Sequence, residues 1–182
     1  MIETRPARYL VVDGRGGPGE TVFQDRVGAL YGVGYTVKFN SKFAGGDYVV
    51  GKLEGLWGVR GQTAADLAGL PKSEWNWRLM MRVPEFIGDE QIVAARKMLR
   101  EKGKEGDFDA VTLETIDEGL CVQILHVGPY EDEHRTIETM KSFAVEQGCE
   151  PNLWHHEIYL SDPRRVPPEK LRTILRQPVR RS

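Results

Sequence analysis

YLVVDGRGGP (Tyr9–Pro18) and VQILHVGP (Val122–Pro129) carry the reading that decides the fold. Each is an apolar run that ends in glycine and proline, the punctuation of a buried strand passing into a turn. A helix follows the first, because Phe23, Val27, Leu30, Gly34 and Val37 recur at spacings of four and three. Gly28 and Gly32 lie one turn apart on it, and their lack of side chains predicts close approach to a sheet. A second helix, Glu131 to Gln147, follows the other run, with Ile137, Met140 and Ala144 as its stripe and Gly148 as its stop. Each helix then leads to a strand bearing a glutamate, Glu54 within Tyr48–Val59 and Glu157 within Trp154–Leu160. Two such modules, side by side, predict an α+β fold. In it, duplicated strand–helix–two-strand units share a pseudo-twofold antiparallel sheet, with helices on one face and a central ligand cleft.

Outward from this pair, the halves run over about 1–88 and 104–182, within one domain spanning 1–182. A helix over 89–103 links them, capped by Asp89 and facing inward with Ile92, Ala95 and Leu99. Trp75–Val83 reads as a strand stopped by Pro84. Gly61–Ser73 reads as a loop with a helical turn around Ala64–Ala68. Val111–Ile116 and Leu120–Val127 read as a hairpin through Asp117, Glu118 and Gly119. Pro168 opens a short predicted helix carrying Leu171, Ile174 and Leu175.

The chain has 182 residues, 40% of them apolar and 29% charged, with 25 basic and 27 acidic side chains and a net charge of −2. That balance steers it toward neither nucleic acid nor an anionic membrane. Cys121 and Cys149 are too few for a disulfide framework and read as reduced thiols. Met1–Arg8 lacks the apolar core of a signal peptide, so the expected location is the cytoplasm.

Gly14, Gly16 and Gly19 fit a dinucleotide fingerprint in spacing, but Pro18 removes a backbone donor where phosphate would sit, so a plain turn is the better reading. His155 and His156 are neighbours on a strand and point to opposite faces, and His126 and His134 have no ligand spacing, so no metal site is expected. No cofactor motif is present. His155, Glu157 and Tyr159 share one face, and Trp75 and Trp77 share another. Two readings stand level at this point: tryptophans that fill a core beside a solvated Glu157, or rings that enclose a buried carboxylate with a task.

Motifs tip the balance. LEGLW (Leu53–Trp57), WNWRLMMRVPEFI (Trp75–Ile87), HVGPY (His126–Tyr130), HHEIYLSDPRR (His155–Arg165) and PPEKLRTILRQPV (Pro167–Val179) together resemble the GyrI-like small-molecule-binding family over nearly the whole chain. That resemblance implies binding of bulky, planar or cationic xenobiotics, with Glu157 as the site glutamate and Tyr159 as its aromatic neighbour. Free-standing members that hydrolyse the cyclopropane ring of DNA-alkylating compounds are similar. Likeness to them implies an aromatic cage of Trp57, Trp75, Tyr130, Tyr159 and Tyr35, with Glu54, Trp77 and His155 as further ligand-binding candidates. In the hydrolytic version Glu157 and Tyr130 are catalytic. Gly58 departs from the second aromatic that often follows Trp57. The alternative is a non-catalytic binding or gyrase-modulating module, whose protein partner would meet Arg164, Arg165, Arg180 and Arg181.

Overall fold

The structure is a computed structural model that describes residues 1–62, 67 and 69–182. The helical turn expected around 64–68 falls outside the described residues, apart from Leu67, which is irregular. Two compact units emerge, one of Met1–Pro6, Lys52–Ala68 and Asp117–Ser182, the other of Ala7–Gly51 and Gly69–Ile116. These bounds differ from a division into sequential halves. The chain enters the first unit three times, and the predicted linking helix belongs to the second.

In the 7–116 unit, β2 (Ala7–Arg15) lies between β4 (Asn76–Val83) and β5 (Thr112–Ile116), antiparallel to both. Leu10, Val11 and Val12 are all buried, so β2 is covered on both faces and reads as a continuous apolar run. Helix α1 (Thr21–Phe43) packs on β2 and β4, and α2 (Asp89–Glu101) packs on α1. The glycine that lets α1 approach the sheet is Gly34, where an added β-carbon would stand 2.7 Å from Met81 Sδ. Gly28 faces open space and Gly32 faces Phe108, so the expected pair does not perform this task. The glycine-rich turn is held from within: Glu20 Oε1 accepts from the Gly17 N–H at 2.7 Å, and its carboxylate fills the concavity under Gly16.

In the other unit the strand order is β1 (Ile2–Glu3), β6 (Leu120–Val127), β9 (Arg172–Arg181), β8 (His155–Tyr159), β3 (Leu53–Gly58), all antiparallel. The short β7 (Cys149–Pro151) also pairs with β9. Helix α3 (Glu133–Glu146) covers one face, burying Met140 and Ala144 against Val122, Cys149, Leu175 and Val179. Both cysteines are buried free thiols, Cys121 with its pKa pushed up to about 11 by burial and then by Glu118.

Two sequence expectations are corrected. Leu171, Ile174 and Leu175 do not lie on a helix; one 3-10 turn (Pro168–Lys170) leads into β9, where Thr173, Leu175 and Gln177 are buried at the strand period of two. Nor do β5 and β6 form a hairpin. Both edges of β6 are occupied, by β1 and β9, while β5 pairs with β2. Among the described residues no helix is long and apolar enough to cross a membrane.

Candidate functional site

The alternation of β8 sets the site out. His155, Glu157 and Tyr159 stand on the face that carries α3, and His156 and Ile158 stand on the other. Antiparallel pairing puts Trp57 of β3 opposite His155 and Gly55 opposite Glu157. The Trp57 indole N–H donates to Tyr159 Oη at 3.0 Å, and the Tyr159 hydroxyl donates to Glu157 Oε2 at 2.7 Å. Gly55 makes room for this relay, since a β-carbon there would stand 2.9 Å from Trp57 Nε1 and 3.1 Å from Tyr159 Oη. Tyr130, in a 3-10 turn (Tyr130–Asp132) before α3, presents its ring edge-on to Tyr159 at 6.0 Å.

The electrostatics are those of acids short of solvent. Burial pushes Glu157 up to about 7, against the Tyr159 hydrogen bond, the charge of His156 and Trp57. Glu133, the first residue of α3, is pushed up to about 8, first by burial and then by the charge of Glu157; the Thr173 hydroxyl opposes this. Burial, followed by these carboxylates, raises both Tyr130 and Tyr159, which keeps both phenols protonated. Burial pushes His155 down to about 4, so it is neutral, with Nε2 3.7 Å from Glu157 Oε1 and beyond hydrogen-bonding reach. Near neutral pH this face therefore holds protons on its carboxyls.

Behind it lies a second constellation. His156, wholly buried, stands between Glu118 Oε1 at 2.9 Å and Glu54 Oε2 at 3.0 Å, and Arg176 donates to Glu118 Oε2 at 2.7 Å. Burial works against charge on His156, yet its two carboxylate partners raise its pKa overall. Burial likewise opposes charge on Glu118, but His156 and Arg176 hold its carboxyl below the usual range. With His156 protonated, two anions meet two cations.

The structure thus brings together Glu157, Tyr159, Trp57, Tyr130 and His155. Glu54 is held by His156 on the opposite face of the sheet. Trp75, Trp77 and Tyr35 belong to the 7–116 unit. Trp77 is a core residue there, donating its N–H to Gly16 O at 3.1 Å with Phe23 edge-on at 5.0 Å. Trp75 has the Lys72 ammonium 5.9 Å from its ring centroid, and Tyr35 is exposed on α1, stacked on Tyr31. A groove lined by Arg8, Val49, Arg82 and Glu85 also lies in that unit. Above Gly58, where an aromatic is missing, the indole of Trp154 occupies the space a side chain would take.

Sequence reasoning missed Glu133, Glu118 and Thr173. The signal for Glu133 was present: it falls four residues before Ile137, in phase with the buried stripe Ile137, Met140, Ala144. Glu118 and Thr173 act through pairings across strands, which no local pattern announces.

A family model described as the GyrI-like small molecule binding domain matches residues 101–180. Among solved structures, an uncharacterized conserved protein from Listeria innocua is 37% identical over 98% of this chain and 90% of its own, at a TM-score of 0.90. A hydrolase from Listeria innocua is 35% identical over the same shares, 98% and 90%, at a TM-score of 0.86. The EcmrR C-terminal domain shares the fold alone, at 11% identity over 100% of this chain and 96% of its own, with a TM-score of 0.62. No curated protein matches.

Proposed function

The chain belongs to the GyrI-like family of small-molecule-binding domains, and from that membership we propose that Glu157, with Tyr159, Trp57 and Tyr130, seats a bulky planar cation. The observation that carries this reading is the Glu157 carboxylate itself, 16% exposed, beside three rings and a neutral histidine, with the Tyr159 phenol donating to it. A positive charge above it would restore the ionised form, and each ring face in contact would add about 0.5–2 kcal/mol. Glu54 and Trp77 are given no ligand contact, since His156 and Gly16 O already engage their polar atoms.

Glu157→Gln is expected to weaken a planar cationic dye by about ten- to a hundredfold and a neutral dye of the same shape by less than about threefold. Fluorescence titration of both dyes reads this directly. Equal losses for the two would remove the charge argument.

A second reading is favoured by Glu157 lying near neutrality, where a general base works best, and by the hydrolase among the relatives. In it the ligand is a cyclopropane fused to a dienone. A water oxygen bonds to the unsubstituted ring carbon, the strained C–C bond breaks, and its electron pair moves into the dienone to give a phenolate. Glu157 takes the proton of the water, and the Tyr130 hydroxyl, not engaged in the relay, donates to the phenolate. The net change is addition of one water. Mass spectrometry of such a compound after incubation is expected to show that gain with the native protein and not with Glu157→Gln; recovery of intact compound from the native protein would reject hydrolysis.

A further inference from the structure

Glu133 has no part in the relay, and packing does not explain it. It occupies a stripe position on α3 that continues Ile137, Met140 and Ala144, where an apolar side chain would be the ordinary choice. It is 6% exposed, and among the described residues its Oε1 meets no hydrogen-bond donor. Thr173, 1% exposed and opposite Tyr159 on β9, stands close enough to favour the Glu133 charge, yet its hydroxyl also completes no hydrogen bond. His155 Nε2 is a third buried atom without a hydrogen-bond partner, and all three belong to the face that carries Glu157. Buried polar atoms are paired almost without exception, so several left open on one face point to an occupant that supplies the missing partner. Among the described residues, the charged groups acting on Glu133 are Glu157 and Glu131, both acidic, with no counter-ion beside them.

We propose that Glu133, steadied by the Thr173 hydroxyl, is a second cation subsite beside Glu157, so that the preferred ligands are planar aromatic compounds carrying two positive charges. The proposal rests on the reading of Glu157 as the first cation seat. A ring system stacked on one of the two perpendicular rings Tyr159 and Tyr130, and edge-on to the other, would present one charge to each carboxylate, because Tyr159 is bonded to Glu157 on one side and pairs across to Thr173 on the other.

Ethidium and propidium share one phenanthridinium ring system, and propidium adds a quaternary ammonium on a short arm, so the pair isolates the second charge. Calorimetric titration of both dyes is made at about pH 7.5 in two buffers of different ionisation enthalpy, where the proton balance is readable. The native protein is expected to bind propidium about tenfold more tightly than ethidium and to release more protons with it. Glu133→Gln should bring the two dyes within about twofold of each other, whereas Glu157→Gln should weaken both. Glutamine mimics the protonated acid in shape, and a thermal melt checks folding. Should Glu133→Gln fail to fold, Thr173→Val serves instead and should lower the propidium preference about threefold. Equal affinities in the native protein, or a ratio unmoved by Glu133→Gln, would overturn the subsite and leave Glu133 as an acid satisfied by water. In that event a loss of ethidium binding in Glu157→Gln would still uphold the first seat. Failure of both dyes to bind at all would overturn both seats.

Discussion

Replacing His156 with leucine is expected to lower stability by about 3–5 kcal/mol near neutral pH, measured by urea denaturation, because removing one partner of a buried ion pair leaves the other charge without compensation. Glu54 and Glu118 are both largely buried, and the imidazolium between them is the cation they share. Glu118 would keep Arg176 at 2.7 Å, whereas Glu54 would lose the partner it holds at 3.0 Å. Glu54 therefore bears most of the cost, and combining His156→Leu with Glu54→Gln should recover a large part of it. The effect should also reach the site, since the His156 charge is one of the influences that hold the Glu157 pKa down. Without it, Glu157 should titrate higher and a cation should have to displace its proton at greater cost.

Stability is expected to fall by about 2 kcal/mol between about pH 6.5 and about pH 8.5. Glu157 and Glu133 are raised to about 7 and about 8, so between the ordinary carboxylate range and those values the folded state binds more protons than the unfolded one. Their contribution is fully present at low pH and is lost as pH rises through the folded values. His155, lowered to about 4, acts in the opposite sense, but its gain is complete once pH passes the ordinary histidine value. His156, raised by its carboxylates, keeps its contribution below that value and loses it as pH climbs through its folded pKa, in the same direction as the two glutamates. Glu118, lowered, weakens the fold only toward acid. Urea midpoints across this window read the result, and Glu133→Gln should flatten the decline most. A flat profile in the native protein would mean that the two carboxylates titrate as ordinary surface acids.

Much of this arrangement is legible in the sequence, and the parts that are not share a cause. Period-two alternation alone places His155, Glu157 and Tyr159 together and His156 on the reverse. Periods of three and four give α2 and α3 nearly to their ends, whereas α1 runs on to Phe43 through residues 38–43, whose polar character reads as the start of a loop. The Pro168 segment misleads because proline at a helix start and proline in a 3-10 turn before a strand look alike; the buried alternation of Thr173, Leu175 and Gln177 distinguishes them. The link Asp117–Gly119 looks like a hairpin turn, but Glu118 points inward to His156 and Arg176, and Gly119 O accepts from the Thr4 N–H. Trp77 looks like a wall of the site and is a core residue, because a ring that shares a strand face with another says nothing of what that face meets. Glu54 and Glu157 look equivalent by position in the repeat, yet pairing of β3 with β8 puts them on opposite faces. Such pairings are chosen by the whole sheet and leave no trace in a local pattern.

The buried state of the two acids can be seen without any ligand. Carbon-detected NMR titration of the glutamate side-chain carboxyls should show one midpoint near 7 that disappears in Glu157→Gln and another near 8 that disappears in Glu133→Gln. Adding a planar cation should move the first of them down toward the ordinary range. If every glutamate carboxyl instead titrates at about 4–5, with no signal moved by a cation, Glu157 is a solvated side chain and no cation seat exists at that face.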